Sequence, residues 1–437
     1  MGDGRQDETK RPGPTDEQAE QTDLELSVEE TSILEGSQGP AAAKAMEMIV
    51  ALGRLYGADR LVRVRSVQVA GVSYHNLGEA GLEYLEEVAA TGRVSVPIAT
   101  LNPAGMDLDA WDRMGIDPKF AEQQLAVVEA YRRVGVIVNC TCTPYLAGNL
   151  PLFGESVAWA ESSAVTFANS VIGARTNREG GPAALAAALV GRTARWGLHL
   201  DENRVGTLRV EVRVRLTSSF EWGLLGALIG WRAPGALPWI HLVPSLGSAG
   251  LDQDDRPDLD ALKALSAALP TYGAQPMFHI DQVTPEANRY PLPDEVLVLT
   301  EADFVEGVRR LNDPVDEVDL VCLGCPHASL DEIRAAADAL AGRTVTKPVW
   351  LSTSRTVYEM ARGLGLVERL ERTGALVLRD TCFVVAPLRG RFHRLATTSA
   401  KGCYYSRGHN DMAVRTGTLQ QCVEAAVTGR FPTGAGR

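Results

Sequence analysis

Short runs of consecutive apolar residues alternate along this chain with stretches whose apolar positions recur every three and four residues, and that alternation predicts an α/β protein. The helical spacing falls on residues 41–56, where Ala45, Met48, Ile49 and Leu52 share a stripe, and on residues 79–90, 120–134, 258–268, 301–311 and 330–341. The short runs fall on residues 64–70, 94–99, 136–138, 239–243, 277–280, 318–323, 348–352 and 374–380, the pattern of strands covered on both faces. Residues 208–216 alternate instead and predict a half-buried strand. The punctuation agrees. Ser27 with Glu30 and Ser329 with Glu332 are capping boxes, Gly135 and Gly191 close helices, and Pro182 suits a first helical position. In residues 222–231, Gly223, Gly226 and Gly230 would let two elements pack closely.

Composition narrows the class. A chain of 437 residues, 45% apolar and 22% charged, has room for two or three α/β lobes. Residues 1–22 lack an apolar period and are expected to form a disordered acidic tail, and no low-complexity linker divides residues 23–437, which are expected to form one unit. The net charge of −12, with eleven acidic against three basic side chains in residues 1–40, gives no basic footprint for nucleic acid. No apolar run approaches the roughly 18 residues of a membrane span, and the N-terminal stretch is no secretory signal, so a cytoplasmic location is expected. Seven cysteines in such a setting read as metal ligands, nucleophiles or core fillers rather than a disulfide frame.

Three of those cysteines share a grammar. Cys142, Cys325 and Cys382 each follow an expected strand by a short loop. Open α/β sheets bind ligands beyond the carboxyl ends of their strands, so three such thiols would converge if the strands are neighbours. Three thiolates and one open position suit an iron-sulfur cluster that does chemistry. The alternative is a zinc-stabilised scaffold using Cys140, Cys142, Cys322 and Cys325. Against it, Cys140 and Cys322 fall within strands and Cys382 is left over. Two further features fit a small anionic substrate: the Gly71 to Ser73 turn before a helix, and Glu161, a carboxylate in an apolar setting that reads either as a helix cap or as a catalytic group.

The motifs Gly71-Val72-Ser73-Tyr74-His75, Thr100-Leu101-Asn102-Pro103-Ala104-Gly105-Met106-Asp107, Cys140-Thr141-Cys142-Thr143-Pro144-Tyr145, Glu161-Ser162-Ser163, Gly324-Cys325-Pro326-His327 and Asp380-Thr381-Cys382 together resemble the aconitase X family. The resemblance implies a hydro-lyase with an aconitase-like, multi-lobed three-layer α/β fold built on Rossmann-like parallel sheets. It implies an iron-sulfur cluster, [4Fe-4S] or [2Fe-2S], on Cys142, Cys325 and Cys382. Substrate contacts are implied at Gly71, Val72, Ser73, Asn102, Pro103, Glu161, Ser162 and Lys401, of which Glu161 and Lys401 would be catalytic. One departure is Thr398-Ser399-Ala400-Lys401, where the family usually has Asn-Ser-Ala-Lys. The family's swivel domain is not recognisable in this sequence, which implies a separate small subunit. The implied substrates are small hydroxy acids, cis-3-hydroxy-L-proline or mevalonate 5-phosphate. An Arg- and Ala-rich composition suggests a GC-rich bacterial genome and favours the first.

Overall fold

Three parallel sheets succeed one another in the computed structural model, which describes residues 24–243 and 257–432. The expected acidic tail at residues 1–22 lies outside the described residues.

The first lobe begins with helices α1 (Val28–Leu34) and α2 (Pro40–Leu55). The Ser27–Glu30 box caps α1 as expected. On α2 the buried stripe is turned toward Met46 and Gly53, leaving Met48 and Leu52 half-buried. Strands β1 (Leu61–Arg63), β2 (Ser66–Val69), β3 (Ile98–Leu101), β4 (Ile137–Cys140), β5 (Ala158–Trp159) and β6 (Arg192–Ala194) follow, with helices α3 (Tyr74–Thr91), α4 (Pro118–Val134), α5 (Ser162–Phe167) and α6 (Gly181–Val190) between them. The main sheet has the order β4-β3-β2-β5 and is parallel throughout, while β1 and β6 pair antiparallel apart from it. The strand expected over residues 64–70 is β2, and the residues just before it form β1 in a separate sheet. Backbone partners change hands there, since the Val64 amide bonds the Gly191 carbonyl and the Arg65 amide bonds that of Ser156. Helix α3 starts at Tyr74, ahead of the expected 79, and breaks at Gly78, whose φ is 65°.

The second lobe contains β7 (Leu208–Val212), α7 (Ser219–Arg232), β8 (Pro238–Leu242), α8 (Leu259–Gly273), β9 (His279–Ile280), β10 (Val296–Leu299) and α9 (Glu301–Leu311), with parallel order β10-β7-β8-β9. The glycines of α7 act as expected. A Cβ on Gly226 would stand 2.7 Å from that of Ala268, and one on Gly230 would stand 2.7 Å from the Gly273 nitrogen, so α7 and α8 touch backbone to backbone. Helix α8 runs past the expected end at 268 and carries Pro270 inside it.

The third lobe contains β11 (Leu320–Leu323), α10 (Leu330–Ala339), β12 (Val349–Thr353), α11 (Arg355–Gly363), α12 (Leu366–Glu371), β13 (Leu376–Arg379), β14 (Arg394–Thr397), α13 (Ala400–Asn410), β15 (Ala413–Thr416) and α14 (Leu419–Thr428), in the parallel order β13-β12-β11-β14-β15. Side chains alternate faces along a strand. Val321, Leu323, Val349, Leu351 and Val377 therefore enter a core private to this lobe, while Leu320, Cys322, Trp350 and Leu378 join the core shared with the first two lobes. That places Cys322 in packing, away from any loop.

Candidate active site

The three cysteine loops leave strands of two different sheets. β4 is an edge of the first-lobe sheet, and β12 separates β11 from β13, so the strands are not all neighbours as the convergence argument required. The loops meet because the carboxyl edges of the two sheets face each other. The Ala104 amide bonds the Asp380 carbonyl, and the Asp380 carboxylate accepts from the Cys140 amide at 3.4 Å while pairing with Arg355. Each loop is locally shaped. Thr141 closes a tight turn around Cys142, its hydroxyl accepting from the Thr143 amide at 3.0 Å. Gly324 (φ 81°) has to be glycine, because a Cβ there would lie 2.1 Å from the Ser352 carbonyl oxygen. Asp380 takes φ 63° and turns the chain toward Cys382.

Cys142, Cys325 and Cys382 line one cavity of about 170 Å³ together with Asn102, Pro103, Glu161, Ser162 and Lys401. Glu161 serves both roles left open by its sequence: it caps α5 through Ser163, and it pairs with Lys401 at the cavity wall. Lys401 also reaches the Ser163 hydroxyl at 3.2 Å. Burial alone would raise the Glu161 carboxyl, but Lys401 and Ser163 hold it below the usual range. The same contact, against the cost of burial, holds the Lys401 ammonium above its usual value. Both groups are charged at neutral pH.

The sulfurs differ. Burial pushes the Cys142 thiol up to about 12. A hydrogen bond between Cys325 and Cys382 lowers the former and raises the latter, and Lys401 and Ser399 add to the lowering of Cys325. Backbone amides donate to two sulfurs, His327 to Cys142 at 3.1 Å and Val384 to Cys382 at 3.3 Å. The four thiols of the zinc alternative do not assemble. Cys140 and Cys322 are fully buried in the shared core, whereas Cys142 and Cys325 line the cavity.

Gly71, Val72 and Ser73 do not line this cavity. They sit one step behind it, with the Ser73 hydroxyl donating to the carbonyl of Val385, a cavity residue, at 3.0 Å. Sequence reasoning missed Tyr405 and His409, which line the cavity on α13. Their spacing from Lys401, one and two turns along the helix, was the available signal. The Lys401 ammonium stands 6.0 Å from the Tyr405 ring centre, and the Tyr405 and His409 rings meet edge to face at 5.4 Å. Asn102 Oδ1 is buried in the same wall without a protein donor.

Family models described as the first, second and third domains of aconitase X match residues 23–202, 206–307 and 318–428. The chain belongs to the aconitase X family. The crystal structure of Thermococcus kodakaraensis aconitase X in its holo-form superposes with a TM-score of 0.84 at 39% identity, covering 92% of this chain and 100% of that one. A protein named phosphomevalonate dehydratase large subunit from Methanothermobacter thermautotrophicus is 45% identical over 383 residues, 87% of this chain and 93% of the relative. A cis-3-hydroxy-L-proline dehydratase from Hypocrea jecorina is 35% identical over 430 residues, 94% of this chain and 70% of the relative. As a member of this family of hydro-lyases the chain is a dehydratase with the α/β fold expected from its sequence, which sets the scaffold reading aside. No helix among the described residues is long and apolar enough to cross a membrane.

Proposed function

We propose that this chain is the large subunit of a two-subunit dehydratase acting on mevalonate 5-phosphate, with an iron-sulfur cluster on Cys142, Cys325 and Cys382. The observation that carries the substrate is the relationship to the phosphomevalonate dehydratase large subunit, 45% identical over 93% of its length, against 35% over 70% for the hydroxyproline enzyme. This reverses the order suggested by the Arg- and Ala-rich composition, which reflects coding bias rather than the shape of a pocket. The small subunit is inferred from the relative's name.

The donor set suits the cluster. Three thiols from three loops share one cavity, two of the sulfurs accept backbone amides, and the Lys401 cation stands nearby to offset thiolate charge. When bound, such a cluster supplies an open iron site as a Lewis acid for the departing hydroxyl. The chain's own groups cover the remaining work. Both candidate substrates are β-hydroxy acids, so dehydration takes a proton from the carbon beside the carboxylate and the hydroxyl from the next carbon. Glu161 is held ionised and ready to accept that proton. Lys401 and Ser163 both bond its Oε1, which leaves Oε2 for the transfer. Lys401, held protonated, attracts the substrate carboxylate and the charge that grows on it as the proton leaves. A carboxylate that competes for Lys401 also loosens the grip on Glu161 and makes it a stronger base. The unpartnered Asn102 Oδ1 is an acceptor for a substrate hydroxyl, and Tyr405 and His409 are donors for the distal phosphate.

Anaerobic co-purification with the small subunit, followed by mass spectrometry for loss of one water, tests the reading. Turnover of mevalonate 5-phosphate is expected, with iron and labile sulfide in the protein. Turnover of cis-3-hydroxy-L-proline alone reassigns the substrate, and zinc in place of iron and sulfide removes the cluster.

A further inference from the structure

We infer that His327 is the positioning residue that holds the three cysteine loops in register. The inference rests on the reading that Cys142, Cys325 and Cys382 act as one centre. His327 is fully buried two residues after Cys325, and each of its four polar atoms has a hydrogen-bond partner in the protein. Its amide donates to the Cys142 sulfur at 3.1 Å. Its carbonyl accepts from the buried Lys263 ammonium of α8 at 3.2 Å, and Lys263 is itself paired with Asp260 and Glu332. Nε2 lies 2.8 Å from the carbonyl oxygen of Thr381, beside Cys382. Nδ1 lies 3.0 Å from the hydroxyl of Thr141, beside Cys142.

Proton positions follow from the partners. The Thr381 carbonyl can only accept, so Nε2 carries the ring proton and Nδ1 accepts from the Thr141 hydroxyl. That hydroxyl receives the Thr143 amide at 3.0 Å and lies 3.1 Å from the Thr143 hydroxyl, so with the latter as donor its own proton goes to the ring. One neutral imidazole thus joins the loop after β4, the loop after β11 and the loop after β13, although β4 belongs to a different sheet from the other two. Thr141 and Thr381, next to Cys142 and Cys382, are both bonded to this one rigid ring. Groups that orient metal ligands from behind typically change metal affinity about 10- to 100-fold when removed.

The experiment uses the full chain carrying Thr141→Val, Thr141→Ser, His327→Gln or His327→Ala. Thr141→Val keeps the volume and leaves His327 in place, but it also removes the acceptor of the Thr143 amide, so a local effect on the Cys142 turn is told apart by residues 380–385, which the Thr141 side chain reaches through the shared ring. Expected is a 10- to 100-fold weaker uptake of iron and sulfide on anaerobic reconstitution, with an altered cluster spectrum and a thermal midpoint close to that of the parent, and Thr141→Ser restores uptake. A second measurement needs no cluster. In the metal-free chain, hydrogen exchange of residues 140–145 and 380–385 should quicken together in Thr141→Val and His327→Gln while the second lobe is unchanged. Unchanged exchange in both segments overturns the proposal, as does full uptake by Thr141→Val. Should the parent itself take up no iron and sulfide, the cluster reading fails, and the exchange result alone decides the role of His327.

Discussion

Arg204–Glu286 and Lys401–Glu161 are both buried ion pairs, yet their surroundings differ. Arg204 and Glu286 are 0% and 1% exposed, and every N–H of the guanidinium is bonded to protein: Glu286, Asn169 Oδ1, and the carbonyls of Leu198, Asn169 and Ala174. Arg175 and Arg289 add further positive charge around the same carboxylate. Lys401 and Glu161 are nearly as buried, but they stand on the wall of a cavity with thiols opposite. A pair whose hydrogen bonds all close on protein fixes architecture. A pair with open space beside it can exchange partners with a substrate, and this is why we assign the chemistry to the second pair.

The largest expected effect breaks the cavity pair. Glu161→Gln keeps the shape and the α5 cap while removing the proton acceptor, and turnover of the folded enzyme should fall about 10²- to 10⁴-fold, roughly 3 to 5.5 kcal/mol of barrier, while the loss of the Lys401 counter-charge also lowers the unfolding midpoint. Steady-state kinetics at a temperature where the variant is fully folded checks it, and parent-rate turnover there would make Glu161 structural. The complementary change, Arg204→Met, strips Glu286 Oε2 of its bonds and leaves the carboxylate to Arg289 and Arg175 alone, which should cost on the order of 3 kcal/mol of stability. Chemical denaturation measures that loss, and the protein that remains folded should turn over at the parent rate. Reduced turnover at full folding would erase the distinction between the two pairs.

How legible each pair was in the sequence follows from what holds it. The cysteine loops could be read because a thiol after a run such as Leu320 to Leu323 signals a strand end, and strand ends are where α/β sheets bind ligands. Their meeting across two sheets could not, since it depends on contacts such as Ala104 with Asp380, far apart in the chain. Helix α13 was invisible for another reason. Residues 400–410 carry no apolar stripe, and the helix is held by the Ser399 cap and by Tyr272, whose hydroxyl donates to the Ala400 carbonyl at 2.7 Å. Tyr405 and His409 were lost with it. The division of residues 61–63 and 66–69 between two sheets and the passage of α8 through Pro270 are likewise choices made by tertiary partners over local propensity.

The smallest effect separates the pairs by pH. His199 lies in the Arg204 neighbourhood, its Nδ1 3.3 Å from the Ser156 hydroxyl and its Nε2 without a protein partner. Burial, with Arg204, Arg175 and Arg195 nearby, pushes its pKa down to about 3. Unfolded histidine titrates near 6.5, so between about 6.5 and 3 the unfolded chain binds the extra proton and stability falls as pH falls, by up to about 1.4 kcal/mol per pH unit. Burial likewise lowers His279. Asp380, which burial raises to about 6, works in the opposite direction below that pH, so the parent profile is a difference of terms and a single variant is needed to isolate one of them. The urea midpoint of His199→Gln should therefore fall less between pH 6.5 and 5 than that of the parent, by the equivalent of about 1.6 kcal/mol. Glu161 lies below and Lys401 above their usual ranges, so the cavity pair stays charged through the same window. A His199→Gln profile parallel to the parent's would move the acid sensitivity out of the Arg204 cluster and leave the two pairs alike in their response to protons.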